Sequence, residues 1–191
     1  MERDNHVVPP STPDPRKKLE ALVAELRGQC LTAVVYYTFS AIEDAALAEE
    51  WDFGDWHEPT MGVELITSAG RRYSAIWNDT FNDFGIEIFP KPMDEFLGGT
   101  VVAVPVSDHH RWTGLIGKKI IAADICWRHY PDTAIPTPLA IRLGFRKGVV
   151  WIAAGISHNQ GSSTNFQLGS DDVMVVFTQE MSSQIGIPET P

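Results

Sequence analysis

The chain has 191 residues, is 43% hydrophobic and 21% charged, and carries a formal charge of −10 at pH 7. These values exclude wholesale disorder and fit a single domain with a sizeable core. They also exclude a general nucleic-acid binder, because phosphate contacts need a clustered basic face, and the paired basic residues here (Arg71-Arg72, Lys118-Lys119, Arg146-Lys147) fall near turns.

Residues 1–13 are polar and proline-rich and read as a tail. Asp14 then predicts a helix N-cap with Pro15 at the first helical position. Leu19, Leu22, Val23 and Leu26 recur at helical spacing, and Gly28 can close the helix in a left-handed conformation. Residues 31–39 are β-branched and aromatic and predict a strand. Residues 61–67 and 71–77 alternate about a turn at Ser68-Ala69-Gly70, which predicts a hairpin; residues 85–89 continue the sheet until Pro90 and Pro92 stop it.

Residues 94–97 read as a helical turn, and residues 100–106 as a strand that Pro105 assigns to an edge or an early end. A long strand over 119–128 and a proline-punctuated loop over 131–138 lead to a second hairpin, 139–145 and 149–154, turning at Arg146-Lys147-Gly148. Trp127 and Trp151 are expected to be buried. Residues 156–170, rich in glycine, asparagine and serine, read as a loop; 173–177 follow as a buried strand and 179–185 as a short helix. Cys30 and Cys126 lie in predicted strands and read as reduced, buried residues rather than a disulfide or a zinc site.

The pattern occurs twice. With Gly70 superposed on Gly148, Val63 meets Ile141, Leu65 meets Leu143, Tyr73 meets Trp151 and Ala75 meets Ala153. Leu26-Arg27-Gly28 likewise resembles Leu115-Ile116-Gly117, each launching a strand. The match implies either an internal duplication, 14–89 and 109–187, or the chance similarity that strand alternation generates. The expected fold is mainly β (α+β): two antiparallel sheet units packed as a sandwich or a partly open barrel, with an N-terminal helix and short peripheral helices. Residues 14–187 form one domain, and 188–191 a second tail.

No phosphate-binding loop, dinucleotide fingerprint or nucleophile elbow is present. Asp108, His109 and His110 could serve a metal-assisted hydrolase with a remote carboxylate, although adjacent histidines on an extended segment point to opposite sides. His57 lies near Asp55 and Glu58, and Asp124, Cys126 and His129 share no clean strand face. A structural or solvated role is favoured for each set, so no catalytic residue, metal ligand or cofactor is assigned. A small-ligand cavity lined by Tyr73, Trp77, Trp127 and Trp151 is a further alternative.

The acidic segment carries more information. Between Arg27 and Arg71 there is no lysine or arginine, whereas Glu49, Glu50, Asp52, Asp55 and Glu58 surround Trp51 and Trp56. Residues 41–50 have the composition of a short helix. Aromatic anchors rimmed by one sign of charge suit a surface for a basic protein partner, with Glu49, Glu50, Trp51, Asp52, Asp55, Trp56 and Glu58 as its residues. The other reading is a solvated connection whose tryptophans fold back over the sheet.

Trp112-Thr113-Gly114-Leu115-Ile116-Gly117-Lys118-Lys119-Ile120, Pro138, the second hairpin and Asp171-Asp172-Val173-Met174-Val175-Val176-Phe177 together form a pattern over about residues 62–187. In it the chain resembles small uncharacterised bacterial proteins with a W-x-x-L-I-G-x-x-I element. The resemblance implies a cytoplasmic, immunity- or antitoxin-like inhibitor of a toxin domain; the net charge and the lack of a spanning apolar run lead to no expected nucleic-acid or membrane partner. The acidic segment lies outside that pattern. Absence of an export signal agrees with a cytoplasmic setting, and no apolar run is long enough to span a bilayer.

Overall fold

Two antiparallel five-stranded sheets stack as a β-sandwich in the computed structural model, which describes residues 14–41, 47–81, 83–97, 101–160 and 163–190. The expected tail over 1–13, residues 42–46 of the expected acidic helix and Thr100 of the expected edge strand lie outside the described residues. The first sheet uses β1 (Leu31–Phe39), β3 (Gly62–Thr67), β4 (Arg72–Asn78), β5 (Gly85–Phe89) and β6 (Val101–Pro105), in the order β5-β4-β3-β1-β6. The second uses β2 (Trp56–His57), β7 (Ala122–Arg128), β8 (Thr137–Phe145), β9 (Gly148–Gln160) and β10 (Ser163–Val176), in the order β2-β10-β9-β8-β7.

Alternation decides what each face meets. Val34, Tyr36, Val63, Leu65, Tyr73 and Ala75 of the first sheet pack against Ile141, Leu143, Val150, Ile152, Val173 and Val175 of the second. The opposite face of the second sheet carries Cys126, Trp151, Ala153, Met174 and Val176, and α3 (Gln179–Ile185) covers it with Met181 and Ile185. Burial there pushes the Cys126 thiol up to about 12, so this cysteine acts as a small apolar side chain. Trp151 is buried and Trp127 half-buried, the latter beneath the Arg16 guanidinium.

α1 (Pro15–Glu25) starts where Asp14 accepts a hydrogen bond from the Arg16 N–H, and buries Leu19 and Val23. β6 takes the edge position that its proline requires, pairing only with β1. On the outer face of the first sheet Glu64 is fully buried. Arg72 donates to it at 2.6 and 3.0 Å and the Met93 N–H at 2.7 Å, so the buried carboxylate is bonded on both oxygens.

Both halves are built on one topology: β1-β3-β4-β5 and β7-β8-β9-β10 are each antiparallel meanders. Their launch segments bond to each other. Gly28 N–H donates to Ile120 O and Gly117 N–H to Leu31 O; Leu31 N–H donates to Lys118 O and Ile120 N–H to Gln29 O. Exchanging residue 28 with 117 and residue 31 with 120 carries each of these bonds into another of the set. Both glycines have positive φ, 85° and 73°, a conformation that side chains with a Cβ rarely adopt. Duplication as the origin of this likeness stays a proposal.

Two expectations need correction. Tyr73 and Ala75 do not correspond to Trp151 and Ala153, because the former pair faces the inter-sheet core and the latter pair faces α3. The turns differ in length. Phe145 pairs directly with Gly148, whereas the last pair of the first hairpin is Ile66 with Arg72, and a one-residue slip inverts every face of a strand. Of residues 156–170, expected as a loop, the described ones (156–160 and 163–170) belong to strands β9 and β10, with Ile156 opposite Gln167 and Gly155 opposite Leu168. Where it pairs, over 156–158 and 164–168, this ribbon exposes or half-exposes both faces, so polar side chains carry no alternation although the backbone is paired; the register breaks between Leu168 and Val173.

Candidate functional site

At one end of the sandwich, residues from β1, β2, the turn before β2 and α2 (His110–Thr113) converge. Gly54, with φ 84°, folds residues 51–58 back on themselves, so that Asp52 bridges antiparallel to His57 and Glu58 N–H donates to Trp51 O. Pairing of β2 with β10 then drives the His57 ring into the fold, where it is fully buried. His109, at the N-cap of α2, arrives from the other side.

A polar chain runs through these elements. Trp112 Nε1–H donates to Tyr36 Oη at 2.7 Å, and Tyr36 Oη lies 2.8 Å from His57 Nδ1. His57 Nε2 lies 3.4 Å from Asp52 Oδ1, and His109 Nε2 lies 3.1 Å from Asp52 Oδ2. Indole nitrogen can only donate, so Tyr36 accepts from Trp112; in one tautomer of His57 the Tyr36 hydroxyl hydrogen goes to Nδ1. A neutral His57 then carries its proton on Nε2. That proton is within ion-pair distance of Asp52 but not aligned with it, which leaves Nε2 a buried atom without a hydrogen bond. Such an orphan costs about 1–3 kcal/mol.

Electrostatics follow from burial. Desolvation pushes His57 down to about 3 despite the attraction of Asp52, so the ring is neutral at pH 7. Burial raises the Tyr36 phenol well above its ordinary value, outweighing the bond from Trp112. For Asp52 burial opposes the charge, but the Gly54 N–H and the two histidines outweigh it and hold the carboxyl below its usual range. Rings close the site: Trp51 lies edge-on to Tyr36, His57 and His109, with centroids 5.3, 5.0 and 5.5 Å away, and Phe177 sits 4.8 Å from His57.

The fold divides the predicted partner-binding residues into separate roles. Trp51 is half-buried in the ring cluster, and Trp56 stacks on Phe53, meets the Phe166 edge and donates to Glu58. Neither tryptophan is an exposed anchor. Asp52 serves the histidines, and Asp55 pairs with Arg111 at 2.9 Å, a cation far away in sequence. Glu58 also accepts from the Ser157 N–H; Glu49 is half-buried and Glu50 exposed.

A second acidic segment meets the first. Burial, together with Asp171, Glu58 and Glu49, pushes Asp172 up to about 6. His158 pulls the other way. A raised carboxyl contributes stability below its ordinary value of 3.8 that is lost as pH rises through about 6. Asp172→Asn should therefore stabilise the protein by about 1 kcal/mol at pH 8, after discounting for solvent screening, with the gain gone at pH 4. Urea titrations at the two pH values check this.

Among Asp108, His109 and His110, only His109 joins the cluster; Asp108 and His110 are exposed. Tyr73 and Trp151 lie in different apolar layers, so the four aromatics expected around a ligand cavity do not enclose one. Sequence reasoning missed Tyr36 and Trp112, and it paired His57 with Asp55 and Glu58 instead of Asp52 and His109. The Gly54 turn, which brings 52 across from 57, was the one available signal. Comparison with family models, curated proteins and solved structures finds no match. No helix among the described residues is long and apolar enough to cross a membrane.

Proposed function

We propose that this chain is a non-enzymatic binding protein that holds a basic protein partner against an acidic face. The observation that supports this reading is the meeting of two acidic segments distant in sequence. Residues 49–58 and Asp171-Asp172 adjoin because β2 pairs with β10, and Glu49, Glu58 and Asp171 crowd Asp172. A carboxylate crowded by acidic neighbours, as Asp172 is, gains when a cation approaches. A toxin domain neutralised by occlusion is the partner that the resemblance to immunity-like proteins implies.

With Trp51 and Trp56 folded inward, Phe39 and Leu47 are, among the described residues, the large apolar side chains that stay exposed beside Glu49; Glu49 N–H donates to Phe39 O. Recognition dominated by charge should depend strongly on salt. The test captures a stoichiometric partner from lysate of the source cells at low salt and measures association with the Glu49→Gln, Asp171→Asn, Asp172→Asn triple variant. Association should slow at least about tenfold and its salt dependence flatten. An unchanged rate and salt slope would reject the face.

A further inference from the structure

We propose that Asp52, His57 and His109 bind a zinc ion with three protein ligands and one exchangeable position. Their donor atoms all lie within 4.8 Å of one another. His57 Nε2 lies 3.4 Å from Asp52 Oδ1 and His109 Nε2 lies 3.1 Å from Asp52 Oδ2, so a carboxylate that binds through one oxygen makes one of these distances an edge of the coordination polyhedron. Bonds of about 2.0–2.1 Å place tetrahedral donors about 3.3–3.4 Å apart, and adjacent octahedral donors nearer 2.9 Å. The wider edge fits a tetrahedral ion, and two imidazoles with one carboxylate are a ligand set zinc accepts.

A hydrogen-bonded cluster is the competing account, in which Asp52 accepts from both rings. The structure fulfils only the His109 half of it: the fully buried His57 Nε2 lies 3.4 Å from the carboxylate, out of line with it and without a hydrogen bond. A metal uses that nitrogen. The neutral ring changes tautomer: Nε2 gives its proton to water and Nδ1 takes one up, with no net release, so Nδ1 becomes the donor to Tyr36, and Tyr36 accepts from both His57 and Trp112. One orphaned donor, the His57 N–H, is exchanged for another, the Tyr36 O–H, so the rearrangement is close to balanced and the metal bonds come in addition. His109 gives up acceptance from Arg111 N–H, a contact that at 3.4 Å is barely a hydrogen bond.

The site is also supported and accessible. Tyr36 fixes the His57 ring and Gly54 N–H fixes Asp52 at 2.9 Å, as outer partners of metal ligands do. His57 is sealed inside, while the Asp52 and His109 side chains are 38% and 17% exposed, so the fourth position opens to solvent. Water, or a small anion, is the ligand it would take. Two neutral imidazoles and one carboxylate leave a net positive ion, a suitable charge for either.

The experiment titrates zinc chloride into chelator-treated, dialysed full-length protein by calorimetry, and follows melting with and without zinc. One equivalent should bind and raise the melting temperature, and cobalt in its place should give the intense visible absorption of tetrahedral coordination. His109→Ala and Asp52→Asn each change the exposed side of the site and should weaken binding at least about 100-fold. His110→Ala, next to the site and outside it, should bind as the unaltered chain does. Absence of heat and melting shift in the unaltered chain would overturn the proposal. So would equal binding by both ligand variants, or equal loss in His110→Ala. No partner takes part, so failure here leaves the acidic-face reading standing.

Discussion

Replacing Trp112 by alanine is expected to destabilise the protein by about 3–5 kcal/mol, the range for truncating a fully packed aromatic. Trp112 is completely buried, lies edge-on to Tyr36 and Phe177, and anchors a helix of only 4 residues. Truncation also strips Tyr36 of the donor that polarises the chain toward His57. Trp112→Phe separates these effects: it keeps most of the ring and loses the N–H, and should cost about 1–2 kcal/mol. Urea denaturation of both variants measures the two numbers. Equal losses would mean that the indole hydrogen bond carries the whole effect.

The second large effect is a hidden acid sensitivity. His57 titrates near 3 in the fold against an ordinary 6.5, so its contribution is present above pH 6.5 and is lost as pH falls toward 3. Below pH 6.5 that loss approaches about 1.4 kcal/mol per pH unit. Asp172 acts with the opposite sign, gaining stability as pH falls through about 6. The two partly cancel between about pH 6 and 4.5, before ordinary carboxylates protonate. Unaltered protein should therefore show a shallow profile there, Asp172→Asn a clearly steeper loss, and His57→Phe with Asp172→Asn a shallow one again. Stability measured at half-unit pH steps gives the slopes; identical slopes in the first two proteins would rule out the compensation.

Local chemistry explains which parts of the fold were legible. The Asp14 cap, the bounds of β1 and the edge position of β6 each follow from short-range rules: a side-chain acceptor before Pro15, a β-branched run, and a proline without an N–H. The polar ribbon of β9 and β10 failed those rules, because a strand wet on both sides has no apolar face to betray it. The site was the least legible. His109 meets Asp52 across 57 residues of sequence, and Arg111 meets Asp55 across 56. Only the β2–β10 pairing and the placement of α2 create those neighbours, and no spacing in the chain encodes either. Segment 49–58 looked unpaired because its cation lies in another part of the chain.

The mutual bonding of residues 28–31 and 117–120, and the docking of β2 on β10, bear on how the chain acquires its structure during synthesis. The first meander can pair its strands early, yet its apolar face and launch segment await residues beyond 117. His57 waits longer still, since its cover includes Val175 and Phe177 near the end of the chain. A nascent chain stalled before β10 therefore exposes the face that the finished sandwich hides, a species prone to aggregation and dependent on chaperones. Long-range closure of this kind also slows folding relative to local hairpin formation. The histidine–carboxylate cluster thus reports completion, because a truncated chain has the residues of the site but not the site.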